Sequence, residues 1–245
     1  MTADIAPQVQ QDSGGLTILV DLGDTLVDAA EPDLAANAAQ FVAQSGNPGV
    51  IQVIGMVLAQ LRAEADGPSL RQRPADQLVA QLLAEHAPDM DAATLYDHAW
   101  TLLGGAELTY LAPLPGAVDF LKQARESGAG VVALSNTALP LQLVERIMEH
   151  HGVAGYFDRI LLSSEIGWKK PAPDAFAAAT EGVHGRVIMV GDDFDADIAG
   201  ARSAGLEAVW INAAASPADP SVVSVPEIGL AWERIRRLDG SVRYA

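Results

Sequence analysis

Four polar clusters carry the residue types that do chemistry, and each follows a short apolar run. Asp21 closes the run 16–20 and opens Asp21-Leu22-Gly23-Asp24-Thr25-Leu26. A carboxylate at a strand end is rigid and reachable, and a nearby Gly permits a tight turn. The same residue types also form turns and helix caps. Ser135-Asn136-Thr137 follows the run 130–134. A hydroxyl and the N–H groups at the start of the next helix make a nest for phosphate; alternatively the triplet caps a helix beginning near Leu139. In Lys169-Lys170-Pro171 the proline keeps Lys170 extended, which can aim its ammonium inward. Gly191-Asp192-Asp193-Phe194-Asp195-Ala196-Asp197 follows the run 187–190 and sets four carboxylates within six positions. Such charges repel unless a cation sits among them, and hard oxygens suit Mg²⁺. A helix N-terminus accounts for Asp195 and Asp197, and less well for Asp192 and Asp193 behind Gly191.

The elements that must position these clusters are legible too. The runs at 16–20, 130–134, 159–162, 187–190 and 208–211 are apolar throughout rather than alternating, as strands of a parallel sheet buried on both faces are. A last strand is expected at 222–225. Helical patterns lie between them at 116–127, 139–150, 173–181 and 195–204, with a terminal helix through Trp232 and Ile235. This alternation predicts an α/β fold, a doubly wound parallel sheet whose ligand site gathers the loops after the strands. Residues 29–110 break the rule. They hold helical patterns at 33–44, 48–63, 75–85 and 91–103, separated by turn residues, and no strand-like run. The expected organisation is a disordered polar leader over 1–15, a core over 16–28 and 111–245, and an inserted all-helical cap over 29–110.

Composition narrows the function classes. Of 245 residues 49% are hydrophobic, and 32 Asp and Glu against 15 Lys and Arg give a net charge of −17. A packed core is expected, and a nucleic-acid partner, which needs a basic face, is not. There is no cysteine, hence no disulfide, thiol nucleophile or thiolate metal site. No apolar stretch reaches the roughly 18 residues that suggest a membrane span. The N-terminus lacks the apolar segment of a secretory signal, so a cytoplasmic protein is expected. The wide apolar face over 50–61 reads first as cap core and second as a dimer patch, leaving monomer or homodimer open.

Taken together, the four clusters in this order, with helices inserted after the first, resemble the haloacid dehalogenase-like (HAD) hydrolase superfamily over about 16–212. Lys170-Pro171 followed by Phe176, and Gly191-Asp192 followed by Asp197 and Ala201, carry the resemblance most specifically. The resemblance implies a Rossmann-like core and an Mg²⁺-dependent hydrolase of a small phosphate monoester, a phosphorylated metabolite. Asp21 would be the nucleophile and form an aspartyl-phosphate. The Asp21 and Asp192 carboxylates and the Gly23 carbonyl would hold Mg²⁺, with Asp193 or Asp197 behind them. Ser135, Asn136 and Thr25 would bind the substrate, and Lys170 would neutralise its charge. One departure matters. The family's phosphatases place an acid/base Asp two residues after the nucleophile; here Gly23 stands there and the acid comes one residue later, at Asp24. Losing such a group costs roughly 10²–10⁴-fold in rate. The alternatives are a metal-free dehalogenase-type hydrolase, or a non-catalytic protein that binds a phosphometabolite.

Overall fold

The computed structural model describes residues 15–30, 37–38, 41–42, 48–105, 108–213 and 221–238. Its strands are β1 (Leu16–Val20), β2 (Gly130–Ser135), β3 (Arg159–Leu162), β4 (Arg186–Gly191), β5 (Glu207–Ile211) and β6 (Val223–Val225). Its helices are α1 (Pro48–Asp66), α2 (Ala75–His86), α3 (Ala92–Leu103), α4 (Ala117–Glu126), α5 (Leu141–His150), α6 (Ser163–Ile166), α7 (Pro173–Thr180), α8 (Gly200–Ser203) and α9 (Ala231–Leu238).

The strands form one sheet in the order β3-β2-β1-β4-β5-β6, parallel throughout. Strand periodicity divides their side chains between two cores. Ile18, Val20, Val131, Ala133, Ile188 and Val190 face one side, with Phe120 of α4, Ile147 of α5 and Ile235 of α9. Leu19, Val132, Leu134 and Met189 face the other, with Phe176 of α7 and Ala201 of α8. Both faces are covered, which is why the strands read as unbroken apolar runs.

Between β1 and α4 the described residues form helices and no strand. Ile54 and Val57 of α1, Val79 of α2 and Leu95 and Ala99 of α3 are buried, and their cluster is continuous with the first core of the sheet. Asp91 starts α3 by accepting the Thr94 N–H at 2.7 Å. Most of the helical pattern at 33–44, and the expected leader apart from Gly15, lie outside the described residues. No helix among those described is long and apolar enough to cross a membrane.

Two elements depart from the expected bounds. α5 begins at Leu141 rather than 139, because Pro140 precedes it in extended conformation and the Leu141 N–H goes to the Glu165 carboxylate, 3.0 Å away. The expected helix over 195–204 is instead a wide π-type turn, Phe194–Ala199, followed by the single turn of α8. Wide turns of this kind are frequent at functional sites.

Candidate active site

Strand order reverses between β1 and β4, whose onward connections run to opposite sides of the sheet, and a crevice opens at their carboxyl ends. The Asp21 N–H donates to the Val190 carbonyl at 2.9 Å, extending the ladder one residue past the strand. Lys170 reaches the same place from the loop between α6 and α7. Asn136, after β2, clamps its backbone: Asn136 Oδ1 accepts the Lys170 N–H at 2.8 Å, and Asn136 Nδ2 donates to the Lys170 carbonyl at 2.9 Å. So held, the Lys170 ammonium donates to Asp21 Oδ1 at 2.7 Å and to Asp197 Oδ1 at 2.6 Å.

Two glycines make this packing possible. A Cβ on Gly191 would lie 2.1 Å from Asp197 Oδ2, so only glycine lets Asp197 fold beneath the end of β4, where it is 0% exposed. The Asp193 N–H helps by donating to Asp197 Oδ2 at 3.2 Å. A Cβ on Gly200 would meet the Pro171 side chain at 2.8 Å and the Phe176 ring at 2.9 Å, so its absence seats the Lys170 loop against the start of α8.

Asp21, Asp192 and Asp197 offer carboxylate oxygens that all lie within 4.8 Å of one another. One ammonium faces three carboxylates. The imbalance shows in the acids: burial pushes Asp197 up to about 7, the charge of Asp21 adds to this, and Lys170 opposes it. Asp192 is also raised, by burial first, against the Thr25 hydroxyl that donates to it at 2.7 Å and with the charges of Asp21 and Asp24 adding to the shift. Burial works to lower the Lys170 ammonium, yet the Asp21 and Asp197 charges outweigh it and hold it above its ordinary value. Burial leads the shift of both acids; the crowded negative charge adds to it and reverses the effect of burial on Lys170.

The other expected residues fall around this centre. Thr25 is fully buried behind Asp192. Gly23 lies in the loop, where an added Cβ would come 3.3 Å from Ala29 Cβ. Asp24 is exposed at φ 55°, and its Oδ1 accepts the Ala29 N–H at 3.3 Å, outside the trio of carboxylates. Asp193 also stands outside the trio: it is exposed, and its Oδ1 accepts the Asp195 and Ala196 N–H groups, both at 2.8 Å, as the cap of the wide turn. Asp197, four positions on, joins the trio. Ser135 and Asn136 line a cavity of about 530 Å³ together with Gly23 and the α1 side of the helical segment. The three carboxylates lie next to this wall rather than in it. Thr137 lines the cavity too, and its Oγ1 accepts the Leu139 N–H at 3.1 Å.

The family model described as haloacid dehalogenase-like hydrolase matches residues 16–205, the span that carries all four clusters. The chain belongs to the haloacid dehalogenase-like hydrolases. A glyceraldehyde 3-phosphate phosphatase of Pyrococcus furiosus is 30% identical over 200 residues, 79% of this chain and 79% of that protein. A ribulose-1,5-bisphosphate 5-phosphatase of Halopiger xanaduensis is 35% identical over 122 residues, 49% of this chain and 48% of that protein. The chain spans about half the length of this and other curated relatives it matches. The crystal structure of a 2-haloacid dehalogenase from Pseudomonas syringae pv. Tomato DC3000 shares the fold, with a TM-score of 0.63 at 21% identity, covering 92% of this chain and 99% of that one.

In this haloacid dehalogenase-like hydrolase one residue beside the centre escaped the sequence reading. Lys169 is buried, and its ammonium donates to the Ala65 and Gly67 carbonyls at 2.7 and 2.5 Å. It thereby caps the C-terminal end of α1 from across the structure, where the helix dipole favours a cation. Beside it the Lys169 N–H donates to the Leu70 carbonyl at 2.8 Å, and the Gln72 N–H to the Gly167 carbonyl at 3.0 Å. Gln72 Nε2 donates to the Thr137 carbonyl at 2.9 Å, and the Arg71 guanidinium stacks 4.4 Å from the centre of the Trp168 ring. Adjacent side chains on extended backbone point opposite ways; that alternation was the one available signal.

Proposed function

We propose that this hydrolase cleaves the ester bond of a small phosphorylated metabolite, with Asp21 as nucleophile and Mg²⁺ as cofactor. The observation that carries the reading is the Asp21 carboxylate at the end of β1, hydrogen-bonded to Lys170 and grouped with Asp192 and Asp197. The donor set fits a hard divalent cation, being carboxylate oxygens with more negative charge than one lysine offsets. The Asp21 and Asp192 carboxylates and the Gly23 carbonyl would hold it, with Asp197 behind them. When bound, the ion neutralises charge gathered on the transferring phosphoryl oxygens.

A carboxylate oxygen of Asp21 attacks phosphorus as the bond to the ester oxygen breaks. Water then attacks phosphorus, releases phosphate and restores the carboxylate. Lys170, fixed by Asn136 and Asp197, offsets charge between nucleophile and phosphoryl group, and the Ser135 hydroxyl binds its oxygens. Thr25 keeps Asp192 oriented. Asp24 is the acid offered for the leaving oxygen. Its bond to the Ala29 amide is long for an N–H···O contact, so a modest rotation would free it. Three helices over the crevice, α1 to α3, act as the cap.

The test is a panel of phosphate monoesters with Mg²⁺, run beside Asp21→Asn. Turnover that is lost in EDTA and falls by roughly 10³-fold or more in the variant is expected. Halide release from 2-haloacids in EDTA would replace this reading with attack on carbon. A Mg²⁺-dependent thermal shift with phosphate, without turnover of any ester, would replace it with binding alone.

A further inference from the structure

The cavity beside the carboxylates points to the organic half of the ester. We infer that it takes a phosphate monoester with an apolar body of several carbons, laid along α1, and that Gly55 sets how long that body can be. This rests on the phosphatase reading and names its substrate class.

At about 530 Å³ the cavity lies within the range of sites that enclose a whole small ligand. Its polar end is Gly23 with Ser135 and Asn136, where the phosphoryl group would lie. Beyond that end most of the wall is carbon, Leu58 and Ala59 of α1 on one side and Leu103, Leu111 and Val144 on the other, with Tyr110 and Thr137 as its further polar members. The charged side chains in the wall, Arg62 and Asp66, face each other across 3.8 Å, one turn apart on α1. A sugar or polyol placed here would desolvate hydroxyls against carbon, an unfavourable exchange. An alkyl or aryl body would be drawn in by the same surface.

Gly55 sharpens the assignment. It sits inside α1, where glycine weakens a helix relative to alanine. Nothing local demands glycine there: a Cβ would meet no atom within 4 Å, and its φ is not positive. What its bare backbone provides is room in the cavity wall, continued one turn later by Ala59.

Non-hydrolysable n-alkylphosphonates from ethyl to octyl, titrated into the full chain with Mg²⁺ by calorimetry and as inhibitors of 4-nitrophenyl phosphate turnover, test this. Affinity should rise about fourfold per methylene until the cavity is full. A polyhydroxylated phosphonate of matched size should bind at least about tenfold more weakly. Gly55→Leu should flatten the series and weaken the octyl compound by about tenfold or more, while Gly55→Ala, which favours the helix, should keep the slope. A flat or inverted series, or equal binding of the polyhydroxylated compound, would overturn the apolar assignment even if 4-nitrophenyl phosphate is turned over. Absence of all ester turnover would overturn the phosphatase reading instead, and calorimetry would still read the chain-length series.

Discussion

At the ends of β1 and β4, Asp21, Asp197 and Lys170 are joined by hydrogen bonds of 2.6 and 2.7 Å, and Asn136 fixes the lysine backbone from both sides. A short way off, α1 presents Gly55, Leu58 and Ala59 to the same crevice. The first region is specified by direction and charge, and each member has partners that its loss would strand. The second is specified by volume. The pairing teaches where the protein tolerates change: substitutions at the charged end act through stability and reaction rate together, and those along α1 act through fit.

The sharpest way to break that contrast is Lys170→Met. It leaves Asp21 and Asp197 buried without their cation, and removing one member of a buried pair typically costs about 3–5 kcal/mol. Urea unfolding should register this loss, and ester turnover should vanish with it; a Met variant as stable as the parent would break the comparison. Lys169→Met comes next. It removes two charge-assisted hydrogen bonds that tie α1 to the core, each worth about 1.5–3 kcal/mol at most. Because Lys169 touches the helical segment and not the carboxylates, KM should rise while kcat changes little.

A further test of the charged end is a pH dependence in EDTA. Burial raises the Asp197 carboxyl to about 7, above the value of about 3.9 it has in the unfolded chain. A raised acid contributes stability that is complete below the unfolded value and is lost as pH rises through the folded one. Between pH 4 and 8 the parent should therefore lose melting temperature relative to Asp197→Asn. Parallel curves for the two proteins would show that burial does not raise the Asp197 carboxyl.

Much of this was legible in the residues. Strands buried on both faces betray themselves as continuous apolar runs, so β1 to β5 and their alternation with helices could be read directly; Asp21, Ser135 and Asp192 stood where those runs stop, and Lys170 stood before a proline. Less legible was which acid of a crowded run turns inward. Asp193 and Asp197 have the same chemistry. A missing Cβ at Gly191 and a cap bond at Asp193 decide between them, and both are properties of the folded turn. The expected helix start near Leu139 missed the extended Pro140, and the carboxylate that satisfies the first N–H comes from Glu165, distant in sequence. The cap of α1 by Lys169 is non-local in the same way: a lysine beside a lysine carries no hint that one serves a helix end while the other is bonded to Asp21 and Asp197.

That side-by-side arrangement has a mechanical consequence. One peptide unit separates the side chain that ties α1 to the core from the side chain bonded to Asp21, and the Asn136 clamp on Lys170 stands between the two, so a pull on α1 through Lys169 is taken up by that clamp before it reaches Asp21.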